Sequence, residues 1–90
     1  MENSEENKLL KFPCLLPIKV IGNAREGLLD DIHDCVLSLT PGFERESLES
    51  RLSSNGNYQA VTVRITAESQ EHLDNVYIAL RRVTGVKFIL

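Results

Sequence analysis

Apolar residues alternate between strand-like and helix-like spacing along the chain, and the changes of period predict an order of elements. Leu9, Leu10 and Phe12 are the first apolar anchors. Pro13 and Pro17 bracket an extended segment, because proline also keeps the residue before it out of the helical region. Ile18, Val20 and Ile21 then read as a strand that Gly22 ends. Pro17 is expected only at its start, since it cannot donate to a ladder. Leu28, Leu29, Ile32, Cys35, Val36 and Leu39 recur at helical spacing and form one stripe. Asn23 is the expected N-cap, with Glu26 placed as in a capping box, and Thr40-Pro41-Gly42 is the stop.

The stretch after Phe43 is ambiguous by propensity, since Leu48 and Leu52 share helical spacing. Its neighbours decide the reading. Asn55-Gly56 is a two-residue hairpin signal, because both central positions of such a turn need positive φ. Val61, Val63, Ile65 and Ala67 alternate with Ala60, Thr62, Arg64 and Thr66, which is a half-buried strand. A hairpin needs a partner before the turn, so a strand is expected over Ser47–Ser54, with a helical turn near Arg45 left open. Ser69 caps a second helix with Glu71 in its first turn. Leu73, Val76, Tyr77, Leu80 and Val83 make its stripe, Arg81 and Arg82 suit its C-terminal end, and Gly85 closes it. Val86 to Leu90 is a short last strand.

The order strand, helix, strand, strand, helix, strand with right-handed crossovers gives a ferredoxin-like βαββαβ sandwich of the α+β class. Two helices cover one face of an antiparallel four-stranded sheet, in the order 4-1-3-2. The first and third strands are central; the second and fourth are edges.

Length and charge narrow the partners. Ninety residues fit one domain, expected over 9–90, after a polar and acidic tail over 1–8 that is expected to be disordered. A core this small and two open edges favour a homodimer. The net charge is −3, and a general affinity for nucleic acid would bring a basic excess. No apolar run reaches bilayer length and no signal-like segment opens the chain, so a cytoplasmic protein that does not bind membranes is expected.

Local sequences also resemble a known family. Phe12-Pro13-Cys14, Ile18-Lys19-Val20-Ile21-Gly22, Pro41-Gly42, Ser53-Ser54-Asn55-Gly56-Asn57-Tyr58, and Val86-Lys87 with Leu90 resemble the YbeD-like family of small bacterial proteins of unassigned function. The resemblance runs from about Phe12 to the end; only the segment between Pro41-Gly42 and Ser53-Ser54 departs, being slightly longer. It implies a ferredoxin-like fold similar to ACT regulatory domains, which bind amino acids at dimer interfaces. Asn23-Ala24-Arg25-Glu26-Gly27-Leu28-Leu29 is similar to the ACT loop, where an acidic residue precedes Pro-Gly-Leu-Leu. Here Asn23 stands at the acid and Glu26 at the proline.

Candidate chemistry is sparse. Gly22 and Gly27 bracket four residues like the opening of a phosphate loop, but Leu28-Leu29 replaces the Lys-Ser/Thr pair. Gly22, Asn23, Arg25 and Gly27 remain as a candidate ligand site for a small carboxylate or amino acid on free helix-start amides. His33, Cys35 and His72 match no zinc spacing, so no metal and no cofactor are expected. Cys35 reads as a core residue and not a nucleophile. Asp30, Asp31 and Asp34 read as a solvated helix face. No aromatic stands among the outward positions Lys19, Ile21, Thr62 and Arg64, which argues against sequence-specific RNA binding. The same alternation gives the open sheet face a basic character through Lys19, Arg64 and Lys87, joined by Arg45, Arg51 and Glu49. These readings favour a non-enzymatic regulatory or adaptor domain that docks an acidic protein or binds a small carboxylate. A small acylphosphatase-type hydrolase using Arg25 is the enzyme alternative.

Overall fold

The computed structural model describes residues 11–90. Leu9, Leu10 and the expected tail over 1–8 lie outside the described residues. The elements are β1 (Cys14–Asn23), α1 (Leu28–Leu39), a 3-10 turn (Arg45–Ser47), β2 (Leu48–Leu52), β3 (Tyr58–Ala67), α2 (Gln70–Arg81) and β4 (Val86–Ile89). The strands form one antiparallel sheet in the order β2-β3-β1-β4, as expected. Ile18, Val20, Val61, Val63 and Ile65 point from the central strands into a single core. They meet Leu28, Ile32 and Val36 of α1 and Leu73, Val76 and Leu80 of α2.

β1 is longer than the alternation predicts. It pairs with β3 from Cys14 opposite Ala67 to Asn23 opposite Tyr58, so Pro17 sits inside the strand. The reason is its direction. Lys19 donates its amide to the Leu90 carbonyl at 3.4 Å and accepts from the Leu90 amide at 2.8 Å. Its backbone groups therefore face the β4 side, and alternation turns the Pro17 nitrogen the same way, past the reach of β4. No ladder bond is lost.

β2 is shorter than the expected Ser47–Ser54, and the helical turn left open near Arg45 is the 3-10 turn before it. The hairpin is real but not two residues long. Ser53 donates its amide to the Tyr58 carbonyl at 2.8 Å, so Ser54 to Asn57 close the loop. Asn55 organises it through its side chain. Its Oδ1 accepts from the Ser53 hydroxyl at 2.7 Å and from the Asn57 amide at 3.0 Å. Gly56 supplies a positive φ, +77°.

The two helix starts differ. At α2, Ser69 Oγ accepts from the His72 amide at 3.0 Å, the expected cap. The expected Asn23 cap with Glu26 is not formed. Asn23 is held in β1, opposite Tyr58, and donates its amide to the Gly85 carbonyl at 2.9 Å. The chain needs the next residues to turn, and Gly27, at φ +89°, precedes the first helical residue with no side-chain cap. His72 joins the helix pair: its Nδ1 accepts from the Glu68 amide at 3.0 Å, which leaves Nε2 to donate to Thr40 Oγ1 at 2.9 Å, just past α1.

Candidate functional site

Two regions were singled out by sequence, the open sheet face and the turn from Gly22 to Gly27. The sheet places them very differently.

The turn is built as a clamp. Arg25 donates Nε and Nη2 to the Thr84 carbonyl at 3.0 and 2.8 Å, Nη1 to the Glu26 carbonyl at 3.2 Å, and Nη2 to Asp31 at 2.7 Å. The guanidinium thus ties the start of α1 to the loop between α2 and β4. Gly22 is buried where that loop crosses β1; a Cβ there would meet the Gly85 carbonyl oxygen at 2.9 Å. Arg45, expected on the open face, instead reaches over the helix side. Its Nη1 donates to Asp30 at 2.8 Å. A hollow of about 170 Å³ at the start of α1 is lined by Arg25, Arg45, Gly27 and Asp30 among others, and each arginine there already faces a carboxylate. Asp30 and Asp31, read from sequence as merely solvated, hold these arginines. Gly22, Asn23, Arg25 and Gly27 are therefore brought together, but as parts of a loop-to-loop brace.

On the open face, Lys19 stands opposite Thr62 and Arg64 opposite Pro17, so the two cations are diagonal neighbours. Glu49, opposite Thr62 from β2, accepts from Arg64 Nη1 at 2.9 Å. Arg51 joins the same face opposite Ala60, as expected. Lys19, Glu49 and Arg51 rim a shallow hollow of about 490 Å³ floored by Ala60 and Thr62.

Lys87 does not join them. The β1–β4 register slips between Ile21 and Gly22, which pair with Phe88 and Val86, so Lys87 is left without a partner in register. It lines a separate hollow with Tyr77 and Arg81 of α2. A bulge resets alternation, and the short last strand gave no sign of one.

The open face also carries apolar surface, of which the sequence marks only Phe88, as one of two residues that the last strand could expose. Leu15 is 74% exposed, Tyr58 47% and Phe88 54%, and pairing puts all three on the side of Lys19. Tyr58 could have been found by carrying the β3 alternation two residues before Ala60. Leu15 lies before the expected strand start at Ile18, and β1 extends past it to Cys14.

Among the described residues no three His, Cys, Asp or Glu side chains are grouped to hold a metal ion. Cys35 is half-buried against the core, and burial pushes its thiol up from its ordinary value of 9.0. His33 packs its ring on Phe43, with centroids 5.7 Å apart. Among the described residues no helix is long and apolar enough to cross a membrane.

The model of a family described as protein of unknown function (DUF493) matches residues 7–90. A relative named UPF0250 protein, from Shewanella amazonensis, is 39% identical over 90 residues and is covered completely, as is this chain. One of the same name from Shewanella woodyi is 38% identical with the same coverage. The solution structure of protein HP0495 from H. pylori matches with a TM-score of 0.76 at 16% identity, over 100% of this chain and 94% of that one. The ACT domain of a GTP pyrophosphokinase from Chlorobium tepidum matches at 0.59 and 20% identity, over 84% and 94%. These likenesses show a ferredoxin-like, ACT-like fold. The chain belongs to the DUF493 family of bacterial proteins, in agreement with the YbeD-like resemblance.

Proposed function

From that membership and the geometry of the sheet, we propose that this chain is a non-enzymatic, cytoplasmic regulatory or adaptor domain that docks an acidic protein partner on its open sheet face. The observation that carries the reading is the face itself. Both helices pack on the other side, and Lys19, Arg51 and the Arg64–Glu49 pair stand beside exposed Tyr58 and Phe88. Apolar anchors rimmed by polar groups are what protein interfaces use. The cations would steer an acidic partner over roughly 10 Å at ordinary ionic strength. The Gly22–Gly27 turn gives less support to an amino-acid or carboxylate ligand, because Arg25 already serves Thr84, Glu26 and Asp31. The same bonds weigh against an acylphosphatase-type use of Arg25.

The test compares capture from native cell extract by the wild type and by a Lys19→Glu, Arg64→Glu double variant. Exposed ion pairs are worth at most about 1 kcal/mol, so the variant stays folded, which its chemical shifts verify. Partners held by the wild type are lost by the variant and released from the wild type as salt rises. Identical partner lists would refute the reading.

A further inference from the structure

The edge strand β2 reads Leu48-Glu49-Ser50-Arg51-Leu52: leucine at both ends, opposite charges inside them, serine at the centre. Its inner side is satisfied by β3 in an unbroken register. The Ser53 amide points at the Tyr58 carbonyl, so alternation assigns Arg51 and Glu49 to the same inward direction. The amides and carbonyls of Leu48, Ser50 and Leu52 face outward along a stretch with no proline and no bulge.

We propose that a second copy of this chain pairs here, β2 against β2, antiparallel about a two-fold axis through Ser50. That register is self-complementary in every position. Ser50 meets Ser50 of the partner subunit. Glu49 meets Arg51 of the partner subunit, and Arg51 meets Glu49 of the partner subunit. Both ion pairs fall at non-hydrogen-bonded positions, where opposed side chains come closest and opposite charges help most. Glu49, which already accepts from Arg64, then stands between two guanidiniums. On the helix side Leu52, 58% exposed in the single chain, meets Leu48 of the partner subunit. A two-fold interface uses one patch twice, and a charge-balanced palindrome is what that symmetry asks for. The other edge, β4, is only four residues long and its pairing with β1 is irregular. The product joins two four-stranded sheets and places both open faces on one side. The proposal stands independently of any partner docked on that face.

Sedimentation of the full chain at about 100 μM tests it, because weaker pairing than that is no stable interface. The wild type is a dimer. Ser50→Pro removes only an outward amide, which an edge strand tolerates, and gives a folded monomer. Arg51→Glu alone and Glu49→Arg alone each weaken association by at least about tenfold. An equimolar mixture of those two variants restores it, because every charged position again faces its opposite. A monomeric wild type, dimers undiminished in Ser50→Pro and Arg51→Glu, or a mixture no stronger than its components would overturn the proposal.

Discussion

Replacing Gly22 by alanine tests how the sheet and the Arg25 brace are joined. Gly22 is buried, and an added Cβ would sit 2.9 Å from the Gly85 carbonyl oxygen and 3.4 Å from Val86 Cα. Both neighbours are backbone, so no side chain can rotate away. The clash can be relieved only by moving β4 off β1, where the Asn23 amide bonds the same Gly85 carbonyl at 2.9 Å. Overpacking of this kind costs typically 1–3 kcal/mol, and the rigid neighbours place it in the upper part of that range. Alanine recovers about 0.5–1 kcal/mol, because it has less freedom to lose on folding. The net loss is about 2 kcal/mol. For a domain of this size that lowers Tm by roughly 8–16 °C. Urea unfolding of the two proteins gives the free energy, and hydrogen exchange gives its location. The Asn23 and Leu90 amides lose protection first, because they bridge β1 and β4. A loss below about 0.5 kcal/mol would mean that the two backbones are not as close as described. A full loss with the β1–β4 amides no more affected than the rest would refute the local mechanism.

Two further outcomes follow from the same structure. Arg25→Lys loses the forked hold on Thr84 and destabilises the fold by about 1 kcal/mol by urea midpoint, because an ammonium cannot reproduce planar paired donation; full stability in the lysine variant would refute the clamp. Stability declines as pH rises above 9.0, because burial raises the Cys35 thiol in the folded chain: the folded form holds its proton longer than the unfolded form, so the advantage is complete below the unfolded value and is lost through the folded one. Cys35→Ala removes that part of the slope in urea titrations between roughly pH 8 and pH 11, and an unchanged slope would show the thiol to be irrelevant to it.

Much of this architecture is legible in residue order, because periodicity reports which side of an element is buried. Val61, Val63 and Ile65 face the core as their alternation requires, and the stripes of α1 and α2 meet them. What fails is what depends on contacts distant in sequence. Asn23 has the chemistry of a cap, but pairing with Tyr58 and Gly85 keeps it in the strand. Arg45 alternates with the open face on paper, yet the 3-10 turn sends it to Asp30. Lys87 is displaced by a bulge that exists only in the pairing with β1. Arg25 offers donors that suit an anion, and nothing local reveals that a carbonyl near the far end of the chain accepts them. Lys19 and Arg64 lie on the open face as alternation requires, but Leu15 on the same face falls in a part of β1 that the apolar pattern from Ile18 onward does not mark.

The position of Pro17 has one more consequence. On the flank of the sheet where its nitrogen points, an incoming strand would find four residues of β4 interrupted by a bulge, and then a stretch of β1 with a missing donor. That flank makes a poor template, whereas the flank at β2 is regular. A sheet with a single receptive border cannot be added to indefinitely. Once two such borders have met, neither molecule has a good one left, and growth ends at the pair instead of running on into a fibre.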